Sequence, residues 1–270
     1  MSTLTSLACI GGGQMAEALI RGVVAAELLA PEQISVIEPN PDRLKSLQQN
    51  YGIQAAADPA ELCSRSQVLL AAVKPQAAAQ ALSAYAPHLS RKHLLISIMA
   101  GISLANLVAC AGPKVRLIRA MPNTPALVLA GATAFSPAAS ATREDCELAR
   151  AIFDAVGVSL ELPELQINAV TGLSGSGPGY VFTFLEALID GGVLAGLPRQ
   201  DAEKFALHTL YGSAKLALES GEHAAVLKGK VTSPGGTTIA GIQALEQGAF
   251  RGVVMEAVRK AAQRSAELGG

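Results

Sequence analysis

The sequence predicts an α/β protein in which an amino-terminal domain built on a parallel sheet is followed by an all-helical domain. Three observations support this fold class. Short β-branched runs alternate with helix-like stretches in the first half, the strand pattern stops at about Leu165, and long helical stretches follow. The predicted domains are therefore residues 1–164 and 165–270.

Five strands are predicted in the first domain. They are apolar on both faces, which is typical of a parallel sheet covered by helices on each side. The predicted strands are Leu7–Ile10, Ile34–Glu38, Val68–Ala72, Leu94–Ile98 and Val115–Arg119. Two predicted helix starts agree with this pattern, because Asn40 and Asp58 each place a capping side chain directly before a proline.

Three long helices are predicted in the second domain, at roughly Gly179–Leu194, Arg199–Ser220 and Phe250–Leu268. The first is apolar nearly all round and requires burial from several sides. Because a monomeric bundle of this size would not supply that burial, we expect the domain to pack against its copy in a homodimer, with helices exchanged. The 50% hydrophobic and 16% charged composition also favours a covered surface.

The composition argues against several kinds of partner. The formal net charge is −1, so no positive field would gather nucleic acid or anionic lipid. Met1–Ile10 does not resemble a signal peptide, and prolines interrupt the longest uncharged stretch, Ala120–Thr142, which argues against a membrane span. Since the cysteines are dispersed and the histidines lack metal-ligand spacing, we expect a cytoplasmic protein with buried thiols and no metal site.

A glycine-rich turn after the first strand predicts a dinucleotide site. The turn reads Ile-Gly-Gly-Gly-Gln-Met-Ala and opens a helix, which matches the G-x-G-x-x-A fingerprint of a Rossmann domain in its required context. Gly11 permits the tight turn, Gly13 lets a pyrophosphate approach, and Ala16 allows close packing of helix on strand. Gln14 and Met15 lie at the helix N-terminus, which meets the phosphate charge. A glycine-rich turn in another α/β protein is the alternative.

The end of the second strand gives opposing indications about the cofactor. Glu38 lies where an acid would bind the ribose hydroxyls of NAD. Arg43 could instead pair with the 2′-phosphate of NADP, or be a solvated helix residue. Asn40 is a further cofactor candidate, with a pure capping role as its alternative. We therefore expect both NADPH and NADH to be used.

Other cofactor candidates follow the next strands, at the edge where open α/β sheets hold ligands. Lys74 would face phosphate or ribose, unless it is an ordinary surface lysine. Small residues at Ala100 and Gly101 would let a nicotinamide ring lie against the backbone. Asn123, between two prolines, suits either a ligand contact or a purely structural turn. The segment around the lysine comprises Ala72, Val73, Lys74 and Pro75.

A second glycine-rich segment indicates a substrate site in the helical domain. Ser-Pro-Gly-Gly-Thr-Thr precedes the amphipathic run Ile239–Gln247, so free N–H groups and hydroxyls collect at a helix N-terminus. A substrate carboxylate would fit there, and an ordinary helix cap is the alternative. A small-residue segment farther upstream, Ser174–Tyr180, indicates close backbone contact with a ligand or a partner, and helix packing alone is the alternative. The substrate candidates are Ser176, Gly235, Gly236, Thr237 and Thr238.

Together these motifs resemble the pyrroline-5-carboxylate reductase family over nearly the whole chain. The most specific segments are Thr-Gly-Leu-Ser-Gly-Ser-Gly-Pro-Gly-Tyr ending at Tyr180, Asp-Gly-Gly-Val ending at Val193, Gly-Leu-Pro ending at Pro198, and Ser-Pro-Gly-Gly-Thr-Thr-Ile ending at Ile239. The glycine turn, Val-Lys-Pro, Ala-Gly and Met-Pro-Asn-Thr-Pro are similar to the family's cofactor-side segments. Gly179 departs from the family, which more usually has alanine there.

The resemblance implies reduction of L-1-pyrroline-5-carboxylate to L-proline with NADPH, and often NADH, in a homodimer that can build larger assemblies. It implies an active site between the two domains, with Ser233–Thr238 supplied across the dimer. Because the cyclic imine binds protonated, no strong general acid is needed. Thr238, the catalytic candidate, is expected to orient the nitrogen or deliver a proton.

Two other functions stay open at this point. A β-hydroxyacid dehydrogenase shares the domain order but needs a catalytic lysine, and Lys215 lacks the flanking pattern of that family. A dinucleotide-sensing binding protein without catalysis would keep Gly11 and Gly13, but the intact segment Gly235–Thr238 argues against it.

Overall fold

One eight-stranded sheet organises the amino-terminal part of the chain, in a computed structural model that describes residues 3–269. The strands in chain order are β1 (Leu7–Ile10), β2 (Ile34–Ile37), β3 (Gln54–Ala55), β4 (Val68–Ala71), β5 (Leu94–Ser97), β6 (Arg116–Met121), β7 (Gly131–Pro137) and β8 (Gly157–Glu161). Their order across the sheet is β3-β2-β1-β4-β5-β6-β7-β8. The order reverses between β1 and β4, and such a switch point is where open α/β sheets bind ligands.

The register brings several strand ends to one level. Ile10, the last residue of β1, pairs with Ile37 on one side and with Ala71 on the other. Ala71 in turn pairs with Ser97, the last residue of β5. The segments that follow β1, β2, β4 and β5 therefore all leave from the same edge of the sheet.

The five predicted strands form a parallel sheet as expected, whereas β7, which the sequence did not predict, runs antiparallel to β6. Only residues 122–130 connect these two strands. An antiparallel pair accepts such a short connection, whereas a parallel pair needs a crossover of a dozen or more residues. The other six pairs, from β3–β2 to β7–β8, are parallel.

Helices cover both faces of the sheet, as the doubly apolar strands predict. Along β1, Leu7 and Cys9 belong to one apolar cluster and Ala8 and Ile10 to another. The covering helices are α1 (Gln14–Ala25), α2 (Pro41–Tyr51), α3 (Pro59–Arg65), α4 (Ala78–Tyr85), α5 (Leu104–Ala111), α6 (Arg143–Asp154) and α7 (Glu164–Val170).

Both predicted proline-linked caps are confirmed. The Asn40 side chain accepts the N–H groups of Asp42 and Arg43, at 3.0 and 3.1 Å. Asp58 accepts the N–H of Glu61 at 2.9 Å. These side chains satisfy donors that the first turn of a helix leaves without an intrahelical partner, and they fix where α2 and α3 begin.

The cysteines only partly follow the expectation of buried thiols. Burial raises the pKa of Cys9 to about 12 and that of Cys63 to about 11, so both stay protonated at neutral pH. Cys110 and Cys146 are only half-buried. Since a thiol reacts as its thiolate, Cys9 and Cys63 are inert packing residues.

The carboxyl-terminal part of the chain is helical, as predicted. Its helices are α8 (Gly177–Leu194), α9 (Arg199–Ser220), α10 (Ala224–Lys230), α11 (Thr237–Gln247) and α12 (Phe250–Leu268). Contacts divide the chain into two units, of which the second is Gly177–Val258, and the first resumes at Arg259. The unit boundary lies later than the predicted domain boundary and assigns α7 and the end of α12 to the first unit.

The second unit leaves many large apolar side chains uncovered in the single chain. None of the residues of α8 is buried, although the helix is apolar nearly all round. Phe182 on α8 and Phe205 on α9 are 63% and 66% exposed. Across residues 3–269, none of the helices combines the length and the apolar character that crossing a bilayer requires.

Close packing of α1 against the segment before β8 yields a stability prediction. A Cβ on Gly22 would collide with the Val156 side chain and lie 2.9 Å from the Ala155 carbonyl oxygen. We expect Gly22→Ala to lower the free energy of unfolding by about 1–3 kcal/mol, as overpacking of a core does. Chemical denaturation measures it. Ala25→Val, at an exposed position of the same helix, should cost less than about 0.7 kcal/mol. Equal effects of the two substitutions would contradict this packing.

Candidate functional site

The glycine turn between β1 and α1 presses against the neighbouring strand end on one side and opens to solvent on the other. Gly11 has φ +95°, and a Cβ there would lie 2.9 Å from the Ala72 carbonyl oxygen, so only glycine fits. Gly13 is exposed, and a Cβ there would meet nothing within 4 Å. The turn is therefore fixed by the fold at its first glycine and leaves space for a ligand at its third.

The N-terminus of α1 opens into the same space. Gly13 is the N-cap and supplies no side chain to the first N–H groups of the helix. Gln14 is exposed and Met15 half-buried, whereas Ala16 is buried against the sheet. Uncapped N–H groups at a helix N-terminus bind anions, so the residues present fit the pyrophosphate of a dinucleotide.

Glu38 ties the glycine turn to the end of β2. Its Oε2 accepts the N–H of Gly12 at 2.8 Å, and its Oε1 accepts the N–H of Asn40 at 2.9 Å. The carboxylate thus lies at the position that the sequence predicts for the adenosine ribose, and it also holds the turn in place. Its contact with a ribose stays a prediction, as does any contact of Asn40 beyond its capping role.

Arg43 is not a solvated helix residue. Its Nε donates to the Gly12 carbonyl oxygen at 2.6 Å and its Nη2 to Glu17 Oε2, also at 2.6 Å. The Tyr51 hydroxyl donates to the other oxygen of Glu17 at 3.0 Å. Burial, followed by this hydrogen bond, raises the pKa of Tyr51 above its usual value. Sequence reasoning missed Glu17, whose role depends on contacts between α1 and α2.

The segment after β4 lies beside the glycine turn. A Cβ on Gly11 would be 3.3 Å from Val73 Cγ1, next to the Ala72 carbonyl. Lys74 is exposed and Pro75 begins a single helical turn. The structure therefore brings the predicted cofactor segment from Ala72 to Pro75 and the fingerprint to one edge of the sheet.

The Ala100–Gly101 turn packs against the end of α12, within the first unit. Gly101 has φ +79°, and a Cβ there would lie 3.0 Å from Leu268 Cβ. Ala100 and Ser176 line one cavity of about 260 Å³ in this unit. The structure thus brings together a predicted nicotinamide residue and a predicted substrate residue.

Both the oxygen and the nitrogen of the Asn123 side-chain amide form hydrogen bonds within the protein. Its Oδ1 accepts the N–H of Ala132 at 2.9 Å, and its Nδ2 donates to Ser174 Oγ at 3.0 Å. The amide thereby joins the proline-flanked turn to β7 and to the small-residue segment. These contacts favour the structural alternative, and a direct ligand contact stays a prediction.

The predicted substrate segment forms the N-terminus of α11 in the second unit. Gly235 has φ +64°, and Gly236 is the N-cap without a side-chain cap. The helix begins at Thr237, two residues before the predicted run, so Thr237 and Thr238 belong to its first turn. Thr238 is half-buried and Thr237 exposed. This arrangement offers uncapped N–H groups to an anion, as the sequence predicts.

An open glycine turn at the switch point of a Rossmann sheet, together with a separate helical unit, defines a dinucleotide-binding protein with a second functional region. Two family models match the chain accordingly. One, coenzyme F420-dependent NADP oxidoreductase, matches residues 6–101. The other, pyrroline-5-carboxylate reductase dimerisation, matches residues 164–268.

Relatives that match nearly the whole chain narrow this class. The chain is 50% identical to a Synechocystis pyrroline-5-carboxylate reductase, over 97% of this chain and 98% of that protein. It is 43% identical to the Escherichia coli K12 enzyme of the same name, over 96% of both. The chain belongs to the pyrroline-5-carboxylate reductase family, which confirms the resemblance seen in its motifs.

Solved structures agree with this assignment. The Coxiella burnetii pyrroline-5-carboxylate reductase superposes with a TM-score of 0.92 at 33% identity, with complete coverage of both chains. The Plasmodium falciparum pyrroline carboxylate reductase, solved with NADP bound, gives a TM-score of 0.91 at 31% identity, again over 100% of each chain. The predicted fold class, an α/β domain followed by an all-helical dimerisation domain, is confirmed.

The two outer glycines of the turn should respond differently to substitution. Gly13 has φ −64°, which any residue adopts, and open space beyond it. We expect Gly13→Val to leave the melting temperature unchanged and to weaken NADPH binding at least about tenfold, the equivalent of losing one good contact. Gly11→Ala should instead destabilise the fold, because its Cβ meets the Ala72 carbonyl. Calorimetric titration and thermal melts measure both, and normal binding by Gly13→Val would contradict the placement of the pyrophosphate.

Proposed function

We propose that the chain reduces L-1-pyrroline-5-carboxylate to L-proline, using NADPH and also accepting NADH. The observation that carries this proposal is the uncapped N-terminus of α11 at Thr237 and Thr238, in a chain of this family. This helix end offers N–H groups and hydroxyl groups to an anion, as binding of a small carboxylated imine requires. The open glycine turn at Gly13 supports the cofactor half of the proposal.

The dinucleotide, when bound, supplies a hydride from its reduced nicotinamide ring. The first turn of α1 would bind its pyrophosphate, and Glu38 would orient the adenosine ribose. The segment from Ala72 to Pro75 would line the path to the nicotinamide, with Ala100 and Gly101 beside the ring. The proposed cofactor residues are Gly11, Gly13, Gln14, Met15, Ala16, Glu38, Asn40, Arg43, Ala72, Val73, Lys74, Pro75, Ala100, Gly101 and Asn123.

The substrate would bind through its carboxylate at the N-terminus of α11. Here the N–H group of Thr237 would hold the carboxylate, and the Thr238 hydroxyl would contact the ring nitrogen. The Gly236 N–H, the other candidate donor, donates to the Ser233 carbonyl oxygen at 3.1 Å and would have to exchange that partner for the carboxylate. A protonated imine carbon is already electrophilic, so the chain has to position the substrate and stabilise charge rather than donate a proton first. Gly235, with its positive φ, shapes this segment, and Ser176 is the proposed substrate residue of the first unit.

The second unit supports a homodimer as the working form. Its uncovered apolar side chains, among them Phe182 and Phe205, need a partner surface in water. A second copy of this chain is the proposed partner, since the dimerisation model of the family covers this region. Larger assemblies built from such dimers, and a cytoplasmic location, are further parts of the proposal.

Two observations argue against the alternative functions. Lys215, which a β-hydroxyacid dehydrogenase mechanism would need, is 54% exposed and forms an i,i+4 pair with Glu219 at 3.6 Å on α9. A binding protein without catalysis would have no use for the intact anion site of α11.

Turnover with pyrroline-5-carboxylate and reduced cofactor tests the proposal directly. Absence of substrate-dependent NADPH or NADH oxidation by the folded dimer would refute it.

The Thr238 hydroxyl should contribute to the reaction but not be indispensable. We expect Thr238→Val to lower kcat/KM by about tenfold to a thousandfold, because the imine is already activated, while NADPH affinity stays the same. Thr183→Val is the control, since that hydroxyl donates to the Gly179 carbonyl oxygen of its own helix. Parent-like turnover by Thr238→Val would show that this hydroxyl takes no part in the reaction.

The dimer should depend on the apolar surface of the second unit. We expect the full chain to sediment as a dimer, and Phe182→Asp together with Phe205→Asp to shift it toward monomer, because charges would be buried in the interface. Val158→Asp, at a position of β8 in the first unit that is 64% exposed, is the matched control. A stable dimer in the double variant would contradict the proposed interface.

A further inference from the structure

Glu17 places a carboxylate in the first turn of α1, next to the open end of the glycine turn. A negative charge at a helix N-terminus is favourable in an empty protein but opposes a bound phosphate at the same end. The structure compensates for this charge internally, because both oxygens of Glu17 have partners: Arg43 on one and Tyr51 on the other.

The guanidinium of Arg43 is likewise already engaged in hydrogen bonds. Its Nε and Nη2 form one edge of the guanidinium, and this edge is taken by the Gly12 carbonyl and by Glu17, both at 2.6 Å. Arginine binds phosphate most strongly when such an edge grips two oxygens at once. The side chains of Arg43 and Glu17 are only 27% and 21% exposed, so solvent screens their attraction less than that of a surface pair.

The position of this pair connects it with cofactor choice. Arg43 follows the end of β2 in the first turn of α2, close to Glu38, where the adenosine ribose of a dinucleotide lies in a Rossmann domain. It is the basic side chain that the sequence offers for a 2′-phosphate. A 2′-phosphate would therefore either compete with Glu17 for the occupied edge of the Arg43 guanidinium or bind to the other edge.

We propose that Glu17 is a specificity-determining residue: by holding Arg43 it withholds the guanidinium from the ribose 2′-phosphate and so balances the use of NADPH and NADH. The inference rests on the proposed use of a nicotinamide dinucleotide and is independent of the imine substrate. Releasing Arg43 should therefore favour nucleotides that carry a 2′-phosphate.

The test compares two small probes, 2′,5′-ADP and 5′-AMP, which differ only in the 2′-phosphate. Their affinities for the full chain are measured by calorimetric titration. We expect Glu17→Gln to raise the preference for 2′,5′-ADP by about tenfold, the worth of one charge-assisted hydrogen bond. Glu17→Asp keeps the charge but withdraws the carboxylate from Arg43, and it should raise the preference by about threefold or more for the same reason.

Two further variants separate the contact from a general charge effect. In an Arg43→Ala background, Glu17→Gln should leave the preference unchanged, because there is no guanidinium to release. Glu32→Gln, which removes an exposed carboxylate elsewhere, should also leave it unchanged. Thermal melts establish that each variant is folded. If Glu17→Gln does not fold, the result for Glu17→Asp decides the test.

The outcomes either support or overturn the inference. An unchanged preference in both Glu17 variants would overturn it, and so would an equal rise in the presence and absence of Arg43. The ratio of kcat/KM for NADPH over NADH should move in the same direction as the probe preference. A chain that shows the probe shift but does not reduce pyrroline-5-carboxylate would refute the proposed function while leaving the role of Glu17 intact.

Discussion

The close approach of Gly11 to the end of β4 is the constraint on which the rest of the nucleotide site depends. A side chain at Gly11 would strike the Ala72 carbonyl, so the turn after β1 can press against the neighbouring strand only as glycine. That contact orients the turn, which leaves Gly13 facing open space and starts α1 at the edge of the sheet. Because the register ends four strands at this level, the segments after β2, β4 and β5 meet the same opening.

The two carboxylates beside this opening have hydrogen-bond partners before any ligand arrives. Uncapped N–H groups of α1 favour an anion, yet Glu17 and Glu38 place two carboxylates nearby. Backbone N–H groups form hydrogen bonds to Glu38, while Arg43 pairs its positive charge with Glu17 and the Tyr51 hydroxyl donates to the same carboxylate. Since each carboxylate already has partners, the helix N-terminus stays attractive to phosphate. With the dinucleotide bound as proposed, the same arrangement would make its adenosine end responsive to single substitutions far from the reacting atoms.

The sequence predicted those features that depend on local pattern. Strands apolar on both faces, the glycine fingerprint and the caps of α2 and α3 are set by neighbouring residues, and all were found. The strands β3, β7 and β8 were missed. β3 has only two residues, β7 carries Thr133, Ser136 and a terminal Pro137, and β8, at the sheet edge, exposes Val158 and Leu160, so none of them has a doubly apolar pattern. Glu17 and the contact of Asn123 with Ser174 were missed because they join elements that are distant in the chain. Nothing in the local sequence pattern predicts such tertiary contacts.

Hydride transfer to the imine carbon is the central claim of this account, and isotope transfer tests it most directly. The reduced cofactor, carrying deuterium at the transferred position of the nicotinamide ring, is incubated with the protein and pyrroline-5-carboxylate, and the product is analysed by mass spectrometry. The account predicts proline that carries one deuterium, on the ring carbon that formed the imine. Proline without deuterium, or no proline at all from a folded chain that binds the cofactor, would contradict it.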